Sequence, residues 1–376
     1  MNTPIAVSQE NKTYANLVEY AQQIKDYRVR AKIDYELWKI VVISICALLA
    51  GANNFVEIAQ YAEDRKHWLK KYFAVGSKIP SHDTINRVFG MMLPMDFNTC
   101  ILRWLKGLVS ESQIINIDGK VIEGYRSKDP FIILRAWACE IKCILGQIKV
   151  PYGTNEITAI PMLLETLRIK DKIITIDAIG AQKKIIQKIA EKEAHYLVAL
   201  KGNQHAFYQD VKLFLDAIAD YELDNFTYTY HETMGKDHGR IEKRRCWSTE
   251  DIGWLQQRFQ WKNLRSISVI ETIIQRSGTT TTNRRYFISS LAGSALLILS
   301  IVRYHWSIEN QLHWHLDVTF YEDKSNIKGT FVAQNLSLLR ALAISLLQLM
   351  PLKMSLARKR QMVNRRPSFL KRILLN

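Results

Sequence analysis

The chain is short of acid. Against 52 lysines and arginines stand 36 aspartates and glutamates, a formal net charge of +16. Such an excess favours an anionic partner, either nucleic acid or an acidic membrane surface. No basic, lipid-binding amphipathic helix is evident, so nucleic acid is the expected partner. Disulfides are excluded too, because five cysteines scattered over 376 residues form no framework. Cys139 and Cys143 flank an expected strand turn with no second Cys/His pair at zinc-finger distance, and read as reduced core thiols. Met1 to Lys12 carry no signal-peptide pattern. The apolar stretch Ile40 to Ala50 is too short to cross a bilayer and suits a buried helix. The expectation is a cytoplasmic protein without membrane contact.

What is present is a repeated phrase. Ile114-Ile115-Asn116-Ile117-Asp118-Gly119 is nearly copied as Ile173-Ile174-Thr175-Ile176-Asp177-Ala178. Each is a β-branched run too apolar for a surface strand and suits a buried strand of a parallel sheet. Side chains alternate along a strand, so Asn116 and Asp118 share a face, as do Thr175 and Asp177. If the two strands are parallel neighbours, both carboxylates stand at the carboxyl edge, where open α/β sheets place their sites. Adjacent carboxylates repel unless a cation lies between them. The pair therefore predicts a divalent-metal cradle and phosphodiester chemistry. The plainer alternative is that each aspartate opens a turn or caps the next helix.

With 48% hydrophobic residues, the chain can bury the core of one large domain with appendages. Residues 14–109 read as a helical domain. Leu37, Ile40, Val41, Ser44, Ile45 and Leu48 recur at helical spacing, and Ser81 is placed to cap a third short helix. Three such helices resemble a DNA-reading module. Residues 110–350 read as a mixed α/β domain: three strands in succession, then alternating helices and strands. Within it, about 225–291 is a β-rich insertion with a turn expected at Thr279–Thr282. Its basic cluster His238, Arg240, Lys243, Arg244 and Arg245 suits phosphate contact. A basic tail over 351–376, with Arg358, Lys359, Arg360, Arg365 and Arg366, would add salt-dependent affinity.

A third acid is expected further on. Val302, His305, Trp306, Glu309, Leu312, His313 and Leu316 fall on one helical face. A glutamate on an inward face among tryptophans and leucines is costly unless it binds a cation, which selects Glu309. A zinc site of His305, Glu309 and His313 is the rival. Residues eight apart lie about 12 Å apart along a helix, so the two histidines cannot share one ion. One histidine with Glu309 remains compatible with helical geometry. Hard carboxylate ligands favour Mg²⁺ or Mn²⁺. Asp317, Glu322 and Asp323 are the alternative acids.

The motifs, in order, resemble a known family. They are Ile117-Asp118-Gly119-Lys120; Asn155-Glu156-Ile157-Thr158-Ala159-Ile160-Pro161; Ile176-Asp177-Ala178-Ile179-Gly180 with Gln182-Lys183; and Leu200-Lys201-Gly202-Asn203-Gln204. His238-Gly239-Arg240-Ile241-Glu242 and His305-Trp306-Ser307-Ile308-Glu309-Asn310 complete the series. The chain is similar to the insertion-sequence DDE transposases, in particular the H-repeat-associated subgroup, from about Leu17 to its end. The resemblance implies an RNase H-like core interrupted by a β-rich insertion before the last acid, with an N-terminal helical domain. It places the catalytic, metal-binding acids at Asp118, Asp177 and Glu309, holding two Mg²⁺ or Mn²⁺ ions.

Lys120, Lys201 and Arg303 would stabilise phosphate charge, with His238, Arg240 and His305 as further nucleic-acid contacts. The sequence departs from the wider class near Glu309: Val302 and His305 replace its tyrosine and arginine, and Leu316 its lysine. Arg303, Tyr304 and Lys324 are the substitutes at hand. The implied activity is metal-dependent cleavage at element ends and strand transfer into target DNA. The implied partners are double-stranded DNA carrying terminal inverted repeats and a second copy of the chain, in the bacterial cytoplasm. The alternatives are a nuclease without strand transfer and a DNA-binding relic without cleavage.

Overall fold

The computed structural model describes residues 17–76, 78–109, 112–123, 131–221, 225–237 and 239–374. His238, expected as a nucleic-acid contact, lies outside them. The chain divides into two compact units, one of Met1–Gly107, Thr319–Tyr321 and Ile327–Asn376, the other of Leu108–Val318 and Glu322–Asn326.

The first unit begins with α1 (Leu17–Ala21), α2 (Leu37–Leu49), α3 (Phe55–Asp64), α4 (Lys66–Phe73), α5 (His82–Met91) and α6 (Pro94–Val109). The apolar stretch read as a buried helix is α2, eleven of whose thirteen residues are buried. Asn54 caps α3, and Ser81 caps α5 by accepting from the Thr84 amide, as its position predicts.

The second unit is built on one nine-stranded mixed sheet. Its strands are β1 (Ile114–Ile122), β2 (Phe131–Ala138), β3 (Cys143–Lys149), β4 (Ile173–Ile176), β5 (His195–Leu200), β6 (Thr229–Asp237), β7 (Arg240–Thr249), β8 (Ser266–Arg276) and β9 (Thr279–Ser289). Their spatial order is β3-β2-β1-β4-β5-β9-β8-β7-β6. Strands β1, β4 and β5 run parallel; the other pairings are antiparallel. The residues read as a β-rich insertion therefore extend the sheet, β9 lying against β5. The turn expected at Thr279–Thr282 is instead the start of β9. The chain reverses at Ser277 and Gly278, both with positive φ, as a two-residue hairpin requires. The β-branched threonines suit the strand. Helices α7 (Glu156–Thr166), α8 (Lys183–Glu191), α9 (His205–Tyr221), α10 (Ala295–His305) and α11 (Trp314–Val318) complete this unit.

The chain then returns to the first unit as α12 (Thr330–Leu349), α13 (Leu356–Arg365) and α14 (Ser368–Leu374). Helix α12 is long and apolar enough to cross a membrane, but here it is a core helix packed on α2 and α5. Its buried Asn335 donates to the carbonyls of Phe89 and Met92 at 2.8 Å each. By compactness, the residues from Ile327 onward group with the first unit.

The expectation of a free basic tail needs correcting at two residues. Lys359 is buried and donates to the carbonyls of Leu347 and Met350 at 2.7 and 3.0 Å. Arg360 donates to Leu48 and Ala52 at 3.1 and 2.8 Å and lies 4.1 Å from the Phe320 ring centre. Helix ends leave carbonyls unsatisfied and carry partial negative charge, so buried cations there neutralise the termini of α12 and α2. Arg358, Arg365 and Arg366 remain exposed.

Candidate active site

The register of β1 on β4 pairs Asn116 with Thr175 and Ile117 with Ile176. Asp118 and Asp177 follow directly on these adjacent strands, about 4.8 Å apart in strand spacing. Strand β5 is parallel to β4 and ends at Leu200, just before Lys201, so Asp118, Asp177 and Lys201 lie toward the same edge of three parallel strands. Asp177 also serves the plainer purpose: its Oδ1 accepts from the Ile179 amide at 3.0 Å and caps the turn Ala178–Gly180. Asn203 and Gln204 fasten the neighbouring loops by donating to Ala178 and Ala181 at 2.8 and 3.0 Å.

Two residues upstream of each aspartate, polar side chains hold the helix that brings the third acid. Asn116, fully buried, donates to the carbonyls of Tyr304 and His305 at 2.7 and 2.8 Å and accepts from Thr175 at 2.6 Å. The Thr175 hydroxyl lies 3.0 Å from His305 Nδ1. The C-terminus of α10 is thereby tied to β1 and β4. Burial lowers the His305 pKa to about 4. His305 is half-buried, its Nδ1 turned to Thr175.

Beyond α10 the helix carries a π turn, Glu309–His313, closed by the Trp314 amide donating five residues back to Glu309. The extra residue shifts the face of the residues that follow. Ile308, Leu312, His313 and Leu316 are buried, whereas the Glu309 side chain is 60% exposed. Glu309 is thus not the inward glutamate that regular helical spacing predicts; it stands on the rim. His313 Nδ1 lies 3.5 Å from Asp118 Oδ2 and 3.5 Å from Glu309 Oε2. One ligand atom from each of these three residues falls within 4.8 Å of the other two. His305 has no part in this cluster.

The electrostatics are those of crowded acids. Burial pushes the Asp118 carboxyl up to about 7, opposed by the Gly119 amide, with the charges of Asp177, Glu156 and Glu309 adding to the rise. Glu156 is itself raised by burial and by Asp177. This fourth acid enters from the first turn of α7, behind the capping Asn155. A Cβ at 119 would meet Glu156 Oε1, the far end of a flexible side chain that would have to turn aside.

The alternative acids are spoken for. Lys120 Nζ lies 2.9 Å from Asp317, 2.8 Å from Asp323 and 3.9 Å from Glu322, and Arg135 pairs with Glu322 at 3.2 Å. Two cations stand against these three acids, and burial with the nearby Asp323 still raises Asp317 to about 6. Lys120, 9% exposed, is spent there and is not presented to a phosphate as expected.

Arg303 and Arg240 come together elsewhere in this unit. They line a cleft of about 510 Å³ with Lys236, Arg244 and Arg276, against one acid, Glu242. Lys201 is exposed. Sequence reasoning placed Arg240 and Arg244 in one cluster but missed Lys236 and Arg276, which only the strand register brings alongside. Glu156 lay within a quoted motif, and its signal was the preceding N-cap asparagine.

Comparison with known proteins agrees with this geometry. The family described as "Transposase DDE domain" matches residues 138–346, and "DDE_Tnp_1-associated" matches 18–105. The chain is 34% identical over 374 residues to "Putative transposase YncI" of Escherichia coli O157:H7, covering 96% of this chain and 94% of that protein. It is 34% identical over 344 residues to "H repeat-associated putative transposase YhhI" of Escherichia coli strain K12, covering 88% and 90%. A solved piggyBac transposase synaptic complex with hairpin DNA overlays 95% of this chain and 77% of that one, at 10% identity and a TM-score of 0.40; so distant a likeness carries no argument. The chain belongs to the DDE transposases, in the H-repeat-associated subgroup.

Proposed function

We propose that the chain is an active transposase, cleaving phosphodiesters at the ends of an insertion element and joining the freed 3′ ends to target DNA. Asp118, Asp177 and Glu309 would hold Mg²⁺ or Mn²⁺, two ions in the arrangement typical of such sites. The observation that carries this reading is the geometry: Asp118 and Glu309 offer ligand atoms within 4.8 Å of each other, with Asp177 on the adjacent strand in register. The acids around Lys120 and Arg135 lie in direct ion pairs with them, whereas Asp118 and Glu309 meet the His313 imidazole, and the group suits a divalent ion. Bound there, the ions would supply an activated water or 3′-hydroxyl and stabilise the leaving oxygen.

The chain's own residues do the rest. Asn116 and Thr175 position the helix bearing Glu309, in an RNase H-like layout of two strand acids and one helix acid. Lys201 would meet the reacting phosphate from the third strand edge. The basic cleft of Lys236, Arg240, Arg244, Arg276 and Arg303 would take the DNA backbone. Two element ends must be handled together, which favours a homodimer on double-stranded DNA, in the cytoplasm. The test is cleavage of linear DNA carrying the native flanking repeats, with Mg²⁺ or Mn²⁺. Breaks at the element boundaries that vanish with EDTA, Asp118→Asn and Glu309→Gln are the expected result. Binding without cleavage in either metal would sink the proposal.

A further inference from the structure

We infer that His313 is a nitrogen ligand, through Nδ1, of the cation held by Asp118 and Glu309, making this a mixed imidazole–carboxylate site. The inference rests on the reading that those acids bind a divalent ion. The π turn is the first observation: such turns replace a stable α turn and recur at functional sites, and this one begins at Glu309 and ends at His313. Second, the imidazole is almost wholly buried, with its side chain 5% exposed. Its Nδ1 faces the two acids, Asp118 and Glu309.

Third, the spacing suits shared coordination. Two donors about 2.1 Å from one ion, at tetrahedral to octahedral angles, stand about 3.0–3.4 Å apart. Nδ1 is 3.5 Å from each carboxylate oxygen. An imidazole ligand shifts preference toward Mn²⁺, Co²⁺ or Zn²⁺ and away from Ca²⁺.

The experiment is Mn²⁺ titration of the full chain, followed by pulsed electron-spin-echo spectroscopy of the bound ion. Directly coordinated imidazole imprints ¹⁴N modulation on the echo, whether or not the protein cleaves DNA. We expect that modulation in the unaltered chain and its loss in His313→Asp, which keeps a ligand but no nitrogen and still binds Mn²⁺. His313→Ala should weaken Mn²⁺ binding at least about tenfold and change Ca²⁺ competition less. Bound Mn²⁺ that Asp118→Asn abolishes, but without ¹⁴N modulation, would overturn the inference and leave the acids' reading standing. Modulation persisting in His313→Asp would overturn it equally. Absence of Mn²⁺ binding by the unaltered chain would remove the inference and the metal reading together.

Discussion

Arg135 stands directly opposite Asp118 in the register of β1 and β2, yet its guanidinium is held by Glu322 at 3.2 Å. The pair is almost fully buried, Arg135 at 0% and Glu322 at 1% exposed. Breaking a buried ion pair on one side leaves an uncompensated charge, costing about 3–5 kcal/mol. Glu322→Gln should destabilise the protein by that order in urea unfolding. The double change Arg135→Met with Glu322→Leu should recover most of the loss.

Asp118 predicts the reverse for an acid of the candidate site. Its carboxyl is raised from 3.8 to about 7, so the folded chain holds this proton more tightly than the unfolded one. Without metal, stability should fall as pH rises from about 4 to 7 and then level off with respect to this group. Asp118→Asn should therefore raise the melting temperature in EDTA at pH 8, by an amount worth on the order of 1–3 kcal/mol. Its effect should fade towards pH 4. Melts at the two pH values check the sign.

Gly119 lies against a flexible neighbour. A methyl group there overlaps the end of the Glu156 side chain, which can turn aside, so Gly119→Ala should displace Glu156 at a cost of about 1 kcal/mol or less. Glu156→Ala in the same chain should relieve most of that cost. Thermal melts of the two single variants and the double variant form the cycle that measures it.

The basic cleft should reveal itself in salt dependence. Removing one cation that neutralises a phosphate should reduce the slope of log affinity against log salt by about 0.9 for duplex DNA. Arg244→Ala and Arg276→Ala should each do so across unrelated sequences. Lys170→Ala, whose partner is Glu193, should leave the slope unchanged. Fluorescence anisotropy at several salt concentrations reads all three.

Much of the sheet edge was legible because it depends on short-range grammar. Two β-branched runs, each ending in a polar residue, an isoleucine and an aspartate, predict parallel strands, and β1 and β4 are in register as that reading requires. What failed were arguments that assumed regularity. A helical wheel assumes one unbroken helix, whereas α10 ends at His305 and a π turn displaces the residues after Glu309. Burial of Lys359 and Arg360 was hidden because the partners are backbone carbonyls, which carry no sequence signal; those of Arg360, at Leu48 and Ala52, stand some 300 positions away. Lys120 looked available because the acids that occupy it follow nearly two hundred residues later. Strand identity is a local property, whereas charge compensation is not.

The long buried helix Thr330–Leu349 sets a timetable for the newborn protein. Helices α2 and α5 emerge from the ribosome early, but the segment that covers them is made only after the whole sheet. At roughly 5–20 residues per second, the stretch from Val109 to Thr330 takes about 10–40 s to synthesise. Until then the first helices display the apolar surface destined for α12. A chain that stops short of residue 330 leaves that surface bare, which makes truncated products of this gene natural clients for chaperones and proteases.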